Sequence, residues 1–264
     1  MKILLTNDDG VSAQGLWILA RELSNIARVV IVAPDREQSA IGTAVTLHQL
    51  LRVRKVEPKL PEIETYSVDG TPSDSVILAL SKIVKGDIDL VVSGINQGLN
   101  LGDDVLISGT VGAALQGYLR GLPALAVSTD ASDSAYLEKA AQLAALLARK
   151  IATDALPNDV FLNVNLPFSP PATVKGIKIT RLASGTHTDT AEEGHDWKGT
   201  YYRLIRQRLN KEMDEETDIW AVKQDYISIT PLHTYLAGEP SPPAWDGLCS
   251  DLFEELQECW TRTA

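Results

Sequence analysis

"KILLTNDDGVSAQGLWILARELSNIARVVIVAP", residues 2–34, holds the decisive unit of the chain. "KILLT" (2–6) is a short apolar run of strand length. "AQGLWILARELSNIA" (13–27) then places Leu16, Leu19, Ala20, Leu23 and Ile26 at helical spacing. "RVVIVAP" (28–34) is a second apolar strand, stopped by Pro34. The three together predict a βαβ unit with parallel strands and a right-handed connection. Where the first strand ends, "NDDG" (7–10) sets Asp8 beside Asp9 with no Lys or Arg next to them. Like charges that close repel, and each prefers water to a protein interior.

The pattern continues outward. "SDSVILALSKIV" (73–84) predicts a helix capped by Ser73, "IDLVVSG" (88–94) a buried strand, "TVGAALQGYLRG" (110–121) a helix and "PALAVST" (123–129) a strand. "YLEKAAQLAALLARKI" (136–151) predicts an amphipathic helix rich in Ala and Leu, and "DVFLNVNLP" (159–167) one more strand. Continuous apolar strands between helices predict an α/β fold with a mostly parallel sheet and helices on both faces. "LRVRKVE" (51–57) and "IETYSVDG" (63–70) alternate in polarity and are expected to be antiparallel or peripheral.

After residue 168 the composition shifts. "GIKITRLA" (176–183), "TYYRLIR" (200–206) and "DYISITPL" (225–232) have strand character, joined by polar loops such as "SGTHTDTAEEGHDW" (184–197). Leu248, Leu252, Leu256 and Trp260 in "GLCSDLFEELQECW" (247–260) suggest a short amphipathic helix. The expectation is one domain over 1–264, with a core at 1–168 and a β-rich extension with a terminal helix at 169–264.

The 264 residues contain 44% hydrophobic and 22% charged side chains, ordinary for a globular protein with a sizeable core. Every apolar run is strand-sized, so no membrane span is expected. The chain enters a strand at Lys2 without the apolar core of a secretory signal, and its two cysteines, Cys249 and Cys259, indicate no disulfide framework; a cytoplasmic protein is expected. The net charge of −11 argues against a nucleic-acid polymer or an anionic membrane as partner. An anionic substrate would need the local field reversed, for which a divalent cation is the natural means.

In open parallel sheets, ligands bind outside the carboxyl ends of the strands. Asp8 and Asp9 fall there, as do "DREQS" (35–39) after the second strand and "GINQG" (94–98) after "IDLVVS". Asp8, Asp9, Ser39 and Asn96 make an all-oxygen set suited to Mg²⁺, Mn²⁺ or Ca²⁺. None of His48, His187, His195 and His233 lies in these loops, which argues against zinc. Plainer readings stand beside this one: the acidic pair before Gly10 as a turn and helix N-cap, Ser39 as a solvated hydroxyl, Asn96 as a turn residue.

"SGT" (108–110) opens a helix, where free N–H groups and two hydroxyls, from Ser108, Gly109 and Thr110, would cradle an anion; helix capping by Ser108 or Thr110 is the alternative. Asp103 and Asp104 read as solvated loop or capping acids, and "DGTPSDS" (69–75) as a turn followed by an N-cap. No dinucleotide-binding G-x-G-x-x-G occurs before a helix, and no Ser-His-Asp set is apparent. A carboxylate-bound metal beside a phosphate cradle suits metal-assisted attack of water on phosphorus.

These residues resemble the SurE family, stationary-phase survival proteins that act as metal-dependent nucleotide phosphatases. The motifs are "ILLTNDDG" (3–10), "APDREQSAIG" (33–42), "VDGTPSDSV" (68–76), "LVVSGINQGLNLGDD" (90–104), "SGTVGAA" (108–114), "LNVNLP" (162–167) and "ISITPL" (227–232), in the family's order over nearly the whole chain. The resemblance implies divalent-metal-dependent hydrolysis of nucleoside 5′- and 3′-monophosphates, with short polyphosphate left open as a substrate. It implies one Mg²⁺ or Mn²⁺ per subunit on Asp8, Asp9, Ser39 and Asn96. The phosphate is implied near Asn96 and the Ser108-Gly109-Thr110 turn. Either Asp8 or Asp9 is also expected to orient or deprotonate the attacking water. It also implies a Rossmann-like core and a homodimer or homotetramer formed through the C-terminal β extension. Two positions depart from many relatives: Thr43 stands where His is common, and Ile107 where Tyr is common; both loops are expected to border the pocket. The rival expectation is a non-catalytic nucleotide- or metal-binding stress sensor acting through its oligomer interface.

Overall fold

The computed structural model describes residues 1–131, 133–157, 159–170, 173–209 and 214–234. Met1–Leu232 form one compact unit. The terminal segment 247–260, with Cys249 and Cys259, lies outside the described residues.

The opening unit folds as its pattern dictates. β1 (Lys2–Thr6), α1 (Gln14–Ser24) and β2 (Arg28–Pro34) form the βαβ unit, with β1 and β2 parallel in the register Ile3 to Val29 and Leu5 to Ile31. β3 (Val53–Lys55), β4 (Glu64–Val68), α2 (Pro72–Leu78), β5 (Leu90–Gln97), α3 (Gly109–Tyr118), β6 (Ala124–Thr129), α4 (Ser134–Ala152) and β7 (Phe161–Leu166) follow. β8 (Gly176–Ile179), β9 (His187–Asp196), β10 (Gly199–Arg208), α5 (Asp218–Lys223) and β11 (Tyr226–Pro231) complete the described strands and α-helices.

Nine strands make the main sheet in the order β3-β4-β2-β1-β5-β6-β7-β11-β8. The run β4-β2-β1-β5-β6-β7 is parallel throughout. The chain moves from β1 to β2 and β4 on one side, then from β5 to β6 and β7 on the other. The direction therefore reverses between β1 and β5, which is where open α/β sheets form their crevice.

Alternate strand residues fill two apolar layers. Ile3, Leu5, Ile31 and Val92 pack against Leu16, Leu19 and Leu23 of α1 and Leu137, Ala141 and Ala144 of α4. Leu4, Val30 and Val32 point the other way, against Val76 of α2 and Ala113 of α3. Burying each leucine of α1 contributes roughly 1.5–3 kcal/mol, which makes this layer the anchor of the crevice.

Two sequence expectations need correction and two are sharpened. β3 and β4 are the antiparallel pair expected at the periphery, with β3 as the edge strand, while β4 also pairs parallel to β2 on its other side and so lies inside the sheet. The second helix is capped by Thr71 rather than Ser73. Pro72 suits the first helical position, and Asp74 closes a capping box with Thr71, a motif whose cap contributes about 1 kcal/mol. Residues 184–197 are not a loop. Most of them form β9, paired with β10 in a two-stranded ribbon exposed on both faces, so no buried face imposes apolar alternation. The third apolar segment of the extension, 225–232, enters the main sheet as β11, with β8 beside it.

Candidate metal and phosphate site at the carboxyl edge

The plain N-cap reading of "NDDG" fails, because α1 starts at Gln14 with Ala13 as its uncapped N-cap. Asn7 makes the turn instead, its Nδ2 donating to the Gly10 carbonyl at 3.1 Å. Asp8 and Asp9 are thus left facing the crevice edge.

Asp8 is buried and held on both oxygens by Thr110. The Thr110 N–H donates to Oδ2 at 3.0 Å and the Thr110 hydroxyl to Oδ1 at 2.5 Å. Gly109 makes this approach possible: a Cβ there would lie 2.8 Å from the Asp8 Cβ. Burial pushes the Asp8 carboxyl up from its ordinary value, opposed by the Thr110 bonds. Asp9 is half-buried and pushed up to about 6, by burial first and the Asp8 charge second, with the Gln97 N–H opposing.

The second loop closes on the first. The Gln38 N–H donates to the Asp8 carbonyl at 2.7 Å, which brings Glu37 close enough to raise both aspartates. The Ser39 hydroxyl donates to Glu37 Oε1 at 2.6 Å, so its oxygen lone pairs remain available. From the third loop, the Asn96 Nδ2 donates to the Gly98 carbonyl at 2.8 Å, fixing the amide with Oδ1 as the remaining acceptor. A register shift between Ser93 and Asn96 against β6 re-aims the end of β5 at this point.

Charge and donor chemistry fit a hard cation. Among the described residues no Lys or Arg forms an ion pair with Asp8, Asp9 or Glu37. Among the described residues no three Asp, Glu, His or Cys side chains gather closely enough to hold a metal by themselves, so the donor set is the Asp8–Asp9 pair with hydroxyl and amide oxygens, a chemistry that suits Mg²⁺ or Mn²⁺ rather than a soft metal.

The helix start at 108–110 serves two masters. Ser108 caps α3, accepting the Val111 N–H at 3.1 Å, and keeps its own proton to donate. Thr110 gives both its donors to Asp8, so at this helix start the Ser108 hydroxyl and the Gly109 N–H are the donors with no acceptor seen among the described residues. Thr43 and Ile107 border this start. The Ile107 carbonyl accepts the Gly42 N–H at 2.8 Å, and a Cβ on Gly112 would lie 2.4 Å from the Gly42 carbonyl and 3.1 Å from the Thr43 Cα.

A family model described as "Survival protein SurE" matches residues 3–189. The chain belongs to the SurE family. It is 50% identical, over 98% of each chain, to "5'-nucleotidase SurE" of Dehalococcoides mccartyi (strain CBDB1). It is 44% identical to the protein of the same name from Legionella pneumophila (strain Paris), over 88% of this chain and 91% of the other. The crystal structure of a SurE protein from Aquifex aeolicus superposes with a TM-score of 0.77 at 34% identity, covering 97% of this chain and all of the other.

Within this SurE fold the structure adds what the sequence left silent. Glu37 and the Gln97 N–H join the edge, and Thr110 turns out to grip Asp8. Glu37 sits in "DREQS" two residues before Ser39, which is the one signal that pointed to it. Neither Asp103 nor Asp104 caps a helix, and both, though partly exposed, are engaged by distant partners. Asp103 accepts the Thr186 N–H and hydroxyl at 2.6 and 3.0 Å, and Asp104 pairs with Arg206 and Arg208. Among the described residues no helix is long and apolar enough to cross a membrane.

Proposed function

We propose that this protein is a divalent-metal-dependent nucleotidase that hydrolyses nucleoside 5′-monophosphates, and 3′-monophosphates with them, to nucleoside and phosphate. The observation that carries the reading is the uncompensated acid pair at the sheet switch point, gripped by the helix whose start faces the crevice. The names of the relatives support the substrate class. Asp8, Asp9, Ser39 and Asn96 would hold one Mg²⁺ or Mn²⁺ per subunit. When bound, the cation neutralises the edge and polarises a phosphoryl oxygen.

The chain's own residues supply the rest. Thr110 fixes Asp8 in one rotamer, so the first carboxylate is preorganised for its ligand. Glu37 takes the Ser39 proton and turns that oxygen's lone pairs outward. The Gly109 N–H, the Ser108 hydroxyl and the positive end of α3 bind phosphoryl oxygens. Asp8 has both oxygens engaged, whereas among the described residues the donor seen at Asp9 is the Gln97 N–H. Asp9 is therefore the carboxylate that orients the attacking water, and hydrolysis breaks the bond from phosphorus to the nucleoside oxygen. The protein is read as a cytoplasmic homodimer or homotetramer that needs no membrane or nucleic-acid partner.

Phosphate release from nucleoside 5′- and 3′-monophosphates and short polyphosphate, with EDTA and with Mg²⁺ or Mn²⁺ restored, tests the reading. Turnover stopped by EDTA and restored by metal is the expected result. Nucleotide binding without release under any metal would favour the sensor instead.

A further inference from the structure

Residues 102–106 form a tight 3₁₀ turn that carries the chain from β5 to the start of α3. Its polar contacts are made with a distant part of the chain. The Gly102 N–H donates to Asp218 Oδ2 at 2.7 Å, and Asp103 Oδ2 accepts from Thr186. Asp104 Oδ1 accepts Arg206 Nε at 3.1 Å, while its Oδ2 accepts Arg208 Nη2 at 3.0 Å and lies 3.3 Å from His187 Nε2. These partners lie 83 to 116 residues further along the chain. His187 opens β9, and Arg206 and Arg208 close β10, so the base of the ribbon grips one carboxylate from both strands.

The grip is unlike a surface ion pair. The Asp104 side chain is 17% exposed and the two guanidinium side chains 33% and 36%. Exposed pairs contribute little, but partly desolvated charge-assisted bonds converging on one carboxylate hold geometry. The turn passes that geometry on through backbone bonds. The Asp104 carbonyl accepts the Ile107 N–H at 3.1 Å, and the Ile107 carbonyl accepts the Gly42 N–H at 2.8 Å. Ser108 and Gly109 come next in the chain, and Gly42 lies in the loop that begins with Glu37 and Ser39.

We propose that Asp104 is a positioning residue for phosphoryl binding: tethered to Arg206, Arg208 and His187 at the ribbon base, it sets the place of the Ser108-Gly109 anion cradle. The proposal rests on the phosphatase reading of that cradle. It makes substrate affinity depend on residues of the ribbon that touch no substrate.

The test is steady-state kinetics of the full chain with a nucleoside 5′-monophosphate, together with calorimetric binding of inorganic phosphate in the presence of Mg²⁺. Three variants are compared: Asp104→Asn, the double variant Arg206→Gln/Arg208→Gln, and Asp104→Glu. For Asp104→Asn, KM and the phosphate Kd should rise together by about tenfold, with kcat within about threefold. The double arginine variant should match it, and Asp104→Glu should recover most of the loss. A tether that only attaches the ribbon would lower the melting temperature and leave KM and phosphate Kd unmoved in the folded variants; that result overturns the proposal. Should Asp104→Asn fail to fold, the arginine pair carries the same test. Absence of nucleotide hydrolysis by the unmodified chain would count against the phosphatase reading alone, because phosphate binding still reports on the tether.

Discussion

Asp8 at the end of β1 and Asp218 at the start of α5 look alike at first: both are buried, and burial raises both carboxyls. Their surroundings differ. Asp218 accepts three backbone N–H groups, from Gly102 at 2.7 Å, Ala183 at 3.0 Å and Ile219 at 2.8 Å, with the Arg208 charge favouring its ionised form. Asp8 is held by one residue, Thr110, and has Asp9 and Glu37 beside it. A buried acid supplied with donors from three chain segments is a knot that ties those segments together. A buried acid crowded by other acids is, in the function proposed above, a shell that a cation would complete.

The contrast breaks most sharply at Asp9. Asp9→Asn should lower phosphate release at least about a thousandfold, a barrier increase of several kcal/mol. Its melting temperature should not fall, since one member of a repelling pair is removed. Full activity in the variant would remove the acid pair from the chemistry. Asp218→Asn should behave in the opposite way. It replaces one acceptor oxygen by a donor facing buried N–H groups and should cost about 2–3 kcal/mol of stability. Denaturant unfolding reads that loss, while kcat of the folded fraction should stay within about threefold. A stable Asp218 variant with a lost kcat would erase the distinction between knot and site.

Two smaller effects sharpen the comparison. Thr110→Val keeps the N–H to Asp8 and removes the hydroxyl, so metal affinity should drop by about tenfold with little change in stability. An unchanged affinity would mean that the backbone bond alone orients Asp8. The smallest effect concerns acid. The Thr186 N–H, ahead of the Thr186 hydroxyl, holds the Asp103 carboxyl below its ordinary value of 3.8. A folded value below the unfolded one means that ionised Asp103 stabilises the fold above about pH 3.8. That contribution is lost as the pH falls through the folded value. The stability difference between the native chain and Asp103→Asn should therefore shrink below pH 4. Its full size at neutral pH should be under about 1 kcal/mol, given the partial exposure. A difference that grows in acid would reverse the sign.

How much of this the sequence could tell depends on what each residue faces. β1, β2, β5 and β6 are largely apolar runs buried on both faces, which placed them in a covered parallel sheet, while β7 is buried on both faces with Asn163 and Asn165 on one of them. The same logic placed Asp8, Asp9, Ser39 and Asn96 at one edge, since strand ends converge by topology. It failed where burial did not write a pattern. β9 has water on both faces and reads as a loop, and α5, at six residues, is too short to show a helical period. The Thr110 grip on Asp8 and the Asp104 tether to Arg206 and Arg208 join residues about a hundred positions apart. Neither partner carries a local signal, so only the folded chain reveals them.

The most direct test of the account is a calorimetric Mn²⁺ titration of the native chain, Asp9→Asn and Asp218→Asn side by side. One Mn²⁺ per chain, lost in Asp9→Asn and kept in Asp218→Asn, is the predicted result. Equal binding by all three would contradict the assignment of the cation to the β1–β5 edge.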